Sequence, residues 1–129
     1  MTRINVVNPS ELSRQHLVAE YREITRLPGN LNAWLNRKTK PPSFDEIPSE
    51  YKLGTGHVKF FYNKFKFLEK RFEAIIDEML SRGYNPNFTD SSIFKVDNLY
   101  YNDYVPTKKA IELNQQRIKE RTKDLTIIT

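Results

Sequence analysis

The 129-residue chain contains no cysteine. That removes disulfides and thiolate metal sites and suits a reducing compartment. Only two histidines are present, His16 and His57. Neither lies in a metal-ligand spacing, so no metal centre is expected. There is no Gly-rich P-loop and no Gly-x-Ser-x-Gly elbow, so nucleotide hydrolysis and α/β-hydrolase chemistry find no support. No apolar run approaches the roughly 20 residues of a membrane span. Polar residues also interrupt the opening segment where a signal peptide would need a continuous apolar stretch. Internal repeats and low-complexity tracts are absent as well. These gaps leave one compact domain covering 1–129, with no membrane association, long enough to bury a core without staples.

What is present is a basic, aromatic-containing chain with a net charge of +5. The excess of positive charge favours a polyanionic partner, although by itself it identifies none. Pro9-Ser10-Glu11-Leu12 reads as a helix entry with Ser10 as N-cap. Leu17, Tyr21, Ile24 and Pro28 then form an apolar stripe at i, i+4, i+7 and i+11. The opposite face carries Gln15, His16, Ala19, Arg22, Glu23 and Arg26. Pro28-Gly29-Asn30 breaks or kinks this helix, and Leu31, Trp34 and Leu35 suggest one or two further turns. Residues 37–57 read as a loop, basic at Arg37-Lys38-Thr39-Lys40-Pro41-Pro42 and long enough to suggest function.

The clearest helix is expected from about Val58 or Tyr62 to Arg82, with Phe61, Phe65, Leu68, Phe72, Ile75, Ile76, Met79 and Leu80 inward and Gly83 as its stop. The plain reading of those aromatics is core packing. Residues 84–105 read as an irregular crossing with at most short elements. Pro106-Thr107 opens a last helix through about Arg121, with a thin apolar set of Ala110, Ile111, Leu113 and Ile118. The expected class is all-α: about three main helices joined by long irregular connections.

Two features carry chemistry. A small residue at position 2 lets the cell remove Met1, leaving Thr2 with a free α-amine. Such an amine titrates near 7.7–8.0, against roughly 10.4 for lysine, so near neutral pH roughly a tenth of it is already nucleophilic. It can attack an aldehyde or a sugar C1′ without the burial a lysine needs. Second, Arg22, Glu23 and Arg26 share one helical face, which by spacing alone is equally a solvated, salt-bridged surface. Gly54-Thr55-Gly56-His57 is either a flexible turn or a cradle of N–H groups for a phosphate.

Taken together, Thr2-Arg3-Ile4-Asn5, Ser10-Glu11-Leu12, Gln15-His16-Leu17, Ala19-Glu20-Tyr21-Arg22-Glu23 and Gly54-Thr55-Gly56-His57-Val58 with Phe60-Phe61-Tyr62 resemble the pyrimidine-dimer DNA glycosylases of the phage endonuclease V type. The resemblance continues through Lys70-Arg71, Arg82-Gly83-Tyr84-Asn85, Asp103-Tyr104-Val105-Pro106 and Arg117, covering about 2–121.

The resemblance implies a DNA-repair glycosylase with abasic-site lyase activity, acting without metal or organic cofactor. It would act as a monomer on damaged double-stranded DNA, in the cytoplasm of a bacterium or a virus-infected host cell. It implies that Thr2 and Glu23 are catalytic. It also implies that Arg3, Gln15, His16, Arg22, Arg26, His57, Arg117 and Arg121 contact DNA. A carboxylate beside C1′ stabilises cationic sugar character and handles protons, and guanidinium forks suit phosphate oxygens. One departure stands out. The family's tail of the form Trp/Phe-Tyr-x-x-Tyr-Gly has no counterpart in Lys123-Asp124-Leu125-Thr126-Ile127-Ile128-Thr129. Stacking on such aromatics contributes roughly 1–3 kcal/mol per base. The same mechanism on abasic sites or another modified base is therefore an alternative expectation, as is a non-catalytic basic DNA-binding module.

Overall fold

The computed structural model describes residues 4–128, with side chains through Arg121. The described residues are helical, with no strand, as the sequence predicts. The α-helices are α1 (Arg14–Ile24), α2 (Leu27–Leu35), α3 (His57–Phe60), α4 (Phe65–Ser81) and α5 (Lys108–Ile128), of which α1, α4 and α5 are the main ones. Single 3-10 turns lie at Pro9–Glu11, Phe44–Glu46 and Ser91–Phe94. No helix among the described residues is long and apolar enough to cross a membrane.

Several boundaries differ from the sequence expectation. The first helix is capped by Ser13, whose hydroxyl accepts the His16 N–H. Pro9–Glu11 is instead a separate 3-10 turn capped by Asn8. The expected continuous helix from Val58 or Tyr62 is broken between α3 and α4. Phe60, Phe61 and Tyr62 are all buried, and three consecutive residues span about 200° of a helix, so no single face could bury them. The chain turns at Lys64 (φ −131°) instead. The new helix start is then capped from outside: Phe65 N–H donates to the Tyr100 carbonyl at 2.9 Å. Leu80, expected inward, is 55% exposed. Gly83 does stop α4, at φ +83°. Helix α5 runs past Arg121 to Ile128.

The core forms where α4 meets α1 and the irregular crossing. Leu68, Phe72, Ile75, Ile76 and Met79 of α4 are buried with Leu17 and Ile24 of α1, and Tyr21 stacks on Phe72 at 6.0 Å. Phe94 from the crossing wedges between Phe65 and Phe72. Arg82 ties the first 3-10 turn to the end of α4, donating to the carbonyls of Pro9 (3.2 Å) and Leu12 (2.8 Å).

Threaded through this core is an extended segment, Ile4–Val7, every residue of it buried. Its backbone has no sheet partner, so side chains serve it. Ile4 N–H donates to His57 Nε2 at 2.7 Å, and the Ile4 carbonyl accepts from Tyr51 Oη at 3.1 Å. Val6 and Val7 N–H both donate to Asn114 Oδ1, at 2.7 and 3.2 Å. The Val7 carbonyl accepts from Arg71 Nη1. Arg71 also grips Glu20 bidentately, Nε to Oε2 at 2.7 Å and Nη2 to Oε1 at 2.9 Å. Both are buried, Glu20 to 1% exposure.

The 37–57 loop is held differently. Its basic opening is not all available to a ligand, because Arg37 forks onto Glu46 and donates to the carbonyls of Lys40 and Pro41. Ser43 and Glu46 close a capping box around the 3-10 turn. The hydrogen bond from Arg37 is the main reason the Glu46 carboxyl is held down to about 2, outweighing the upward push of burial.

Two predictions follow from these polar anchors. Removing one partner of a buried ion pair strands the other charge, so Arg71→Met should lower unfolding free energy by about 3–5 kcal/mol. Adding Glu20→Leu should recover much of that loss, as read by urea denaturation. For Glu46, the folded value lies below the ordinary 4.5. Its contribution is therefore complete above that pH and is lost as pH falls toward 2. A carboxyl NMR titration should show a Glu46 midpoint near 2, and Arg37→Ala should return it to the ordinary carboxylate range.

Candidate active site

Helix α1 presents His16, Ala19, Glu20 and Glu23 at i, i+3, i+4 and i+7, a single face. That face, with Asn5 of the extended segment and Ile118 and Arg121 of α5, lines a cleft of about 200 Å³. Three separate parts of the chain thus meet around one carboxylate. Glu23 is the half-buried acid of this cleft, its side chain 20% exposed. The Arg26 Nη1 lies 3.1 Å from its Oε1. Arg26 belongs to the joint before α2 rather than to α1 itself, and its side chain is 66% exposed. One guanidinium therefore touches the cleft's carboxylate and still has donors facing water.

The second cleft carboxylate behaves differently. Glu20 is locked by Arg71 and by Asn5 Nδ2, which donates to its Oε1 at 2.7 Å. With its oxygens committed to fixed donors, Glu20 is a structural anchor, whereas Glu23 lies at the open side. Asn5 in turn accepts from Asn114 Nδ2 at 2.8 Å. A continuous buried chain of hydrogen bonds thus runs from α5 through the extended segment to α1 and α4.

The other predicted residues distribute around this cleft. Gln15 and Arg22 line a shallow groove of about 400 Å³ with Arg14, Val18 and Ala19. Ala19 also lines the Glu23 cleft, so the two depressions adjoin across the surface of α1. Arg117 lies one turn before Arg121 on α5 and lines a small depression with Leu53, Leu113, Gln116 and Glu120. His16 is half-buried in the cleft wall. Thr2 and Arg3 lie outside the described residues. Thr2 is joined to Ile4 by two peptide units, a tether of about 7 Å at most.

His57 is the exception among the predicted DNA contacts. It is 3% exposed. Its Nδ1 lies 2.7 Å from the Lys52 carbonyl, which requires an Nδ1–H, so Nε2 is left to accept from Ile4. Both ring nitrogens are thus committed to backbone, and the imidazole is walled by Tyr51 and Phe61. The Gly54–Gly56 turn before it lets the four-residue α3 begin. Both glycines have positive φ, and in Gly56 a Cβ would press on Lys52 and Pro48. Of the two readings of this stretch, the turn is the one the positive φ values of Gly54 and Gly56 fit.

Sequence reasoning missed Asn5, Glu20, Arg71 and Asn114. A signal for three of them was available. Glu20 falls at i+3 from Leu17, Arg71 at i+3 from Leu68, and Asn114 at i+4 from Ala110, each a polar residue inside an apolar stripe.

Fold and cleft define a small helical protein that presents a carboxylate between Arg26 and Arg121, an arrangement suited to holding an anion against an acid. The model of the family described as pyrimidine dimer DNA glycosylase matches residues 1–92, and the chain belongs to that family. Helix α5, with Arg117 and Arg121, lies beyond the matched stretch.

A buried His57 and a DNA-contacting His57 are separable by experiment. His57→Ala should destabilise the fold by roughly 1–3 kcal/mol for each backbone group it strands. The salt dependence of DNA binding by the folded protein should stay unchanged. Loss of a phosphate contact would instead reduce the slope of log K against log salt by about 1.

Proposed function

We propose that this protein is a bifunctional DNA glycosylase and abasic-site lyase that cleaves double-stranded DNA at UV-induced cyclobutane pyrimidine dimers. The observation that carries the reading is the cleft itself. Glu23 sits where α1, α5 and the extended segment converge, and with Met1 removed the α-amine of Thr2 stands two residues before that segment in the sequence. Family membership supplies the damaged base as substrate.

In the proposed reaction the uncharged amine of Thr2 attacks C1′ of the damaged nucleotide, and the glycosidic bond breaks with its electron pair leaving on the base. The C1′–O4′ bond then opens, O4′ takes a proton, and an imine links protein to sugar. Loss of a C2′ proton expels the 3′ phosphate oxygen by β-elimination, cutting the strand. Water then hydrolyses the imine and frees the amine. Glu23 stabilises the cationic sugar and iminium and carries protons between C2′ and O4′. Arg3, Arg22, Arg26, Arg117 and Arg121 hold the phosphates, positioning the duplex without reading its sequence. Gln15 and His16 line the surface beside the reacting sugar.

Lys64 is the competing amine within the chain. Burial pushes it down to about 8, nearly as low as an α-amine. Its Nζ, however, is committed to the Phe60 carbonyl and Asn63 Oδ1, each at 2.9 Å, and it lines none of the Glu23 cleft.

Borohydride trapping tests the proposal. Protein with a verified Thr2 terminus should form a covalent adduct on duplexes carrying either a thymine dimer or an abasic site, and peptide mapping should place it on Thr2. Glu23→Gln should abolish strand cutting while retaining binding, and affinity should fall steeply with salt, by about 0.9 log units per log unit for each phosphate held. An adduct on abasic DNA alone would overturn the dimer assignment. An adduct on Lys64, or no adduct at all, would overturn the amine mechanism.

A further inference from the structure

Asn114 lies on the stripe of α5 that also carries Arg117, Ile118 and Arg121, at i, i+3, i+4 and i+7. It is fully buried, and both ends of its carboxamide bond the extended segment. Oδ1 accepts from Val6 and Val7, and Nδ2 donates to Asn5, which lines the cleft and donates onward to Glu20. The cleft side of α5 is thus joined to the segment that leads to the chain's amine through one side chain.

We propose that Asn114 is a positioning residue for imine formation. It fixes the register of Ile4–Val7 against α1, and with it the approach of the amine to a sugar held beside Glu23. The inference rests on the reading of the α-amine as nucleophile. Its physical basis is that a reacting atom displaced by about 1 Å costs on the order of 100-fold in rate, even when binding is intact.

The test is single-turnover borohydride trapping on a duplex with one abasic site, at saturating protein, reading rate constant and amplitude separately. Affinity is measured on a duplex carrying the unreactive tetrahydrofuran analogue. Asn114→Ala should lower the rate constant about 10- to 100-fold with affinity unchanged. Asn114→Asp keeps the acceptor for Val6 and Val7 but loses the donor to Asn5, and should show a smaller fall. Tyr51→Phe, which removes only the hydroxyl on the Ile4 carbonyl, should also slow trapping and serves if Asn114→Ala does not fold. Phe94→Leu is the comparison for lost stability. Phe94 packs on Phe65 and Phe72, so its loss should lower amplitude and melting temperature but leave the rate constant alone.

If the Asn114 variants behave like Phe94→Leu, Asn114 is only structural and the inference fails. If their affinity falls with the rate, they disturb DNA binding and it fails equally. Acetylating the α-amine of wild-type protein keeps the underlying reading separate. Loss of the adduct upholds the amine whatever Asn114 does, and persistence removes the amine and this inference together.

Discussion

An extended segment inside a helical core brings N–H and C=O groups that no neighbouring helix can pair, and each left unmet would be costly. Here side chains drawn from four directions serve the N–H groups of Ile4, Val6 and Val7 and the carbonyls of Ile4 and Val7: Tyr51 from the loop, His57 from α3, Arg71 from α4 and Asn114 from α5. Each of these side chains is buried because its partner is, and each ties another element to the same short stretch. Glu20 completes the set by balancing the Arg71 charge. The main helices are therefore oriented by a common polar ligand, the chain's own beginning, as well as by hydrophobic contact.

That arrangement divides labour between neighbouring residues on one helix. Glu20 and Glu23 are three positions apart and line the same cleft. Glu20 is held by fixed donors on both oxygens and acts as part of the scaffold. Glu23 meets Arg26, whose guanidinium is mostly exposed, and so stays within reach of a ligand. Identical side-chain chemistry thus serves support in one case and the proposed reaction in the other, the difference being set by what each carboxylate touches.

Much of this was legible in the sequence where a single periodicity was at stake. The apolar stripes of α1 and α4, the stop at Gly83 and the irregular crossing follow from local pattern. The polar face of α1 was equally readable, although only its Glu23, His16 and Ala19 line the cleft, while Arg22 lines the adjoining groove and Arg26 falls beyond the helix. Illegible were features decided by distant partners. The break before Phe65 depends on a carbonyl supplied by Tyr100. The withdrawal of His57 into the core depends on Ile4 and Lys52. The glycine-rich turn ahead of it allowed either a turn or a cradle of N–H groups, because local sequence does not say whether a helix start faces a ligand. Glu20, Arg71 and Asn114 interrupt apolar stripes, a signal that went unread, and their linkage through Asn5 spans most of the chain and leaves no local trace.

On the proposed mechanism, this network also answers a problem peculiar to an N-terminal nucleophile. A lysine must be desolvated before its amine is usefully neutral, as Lys64 illustrates, with burial among aromatic rings lowering it to about 8. An α-amine has a comparable value in water and needs no such environment. Its difficulty is conformational, because a chain end is the least restrained part of a protein. Nearly the whole proximity advantage of an enzyme would be forfeited by an amine free to wander. Burying Ile4–Val7 and occupying their backbone with fixed side chains anchors the segment from which the amine would reach the sugar. On that mechanism the polar groups at the centre of this fold serve twice: they satisfy a buried backbone, and they restrain the segment that leads to the reacting amine.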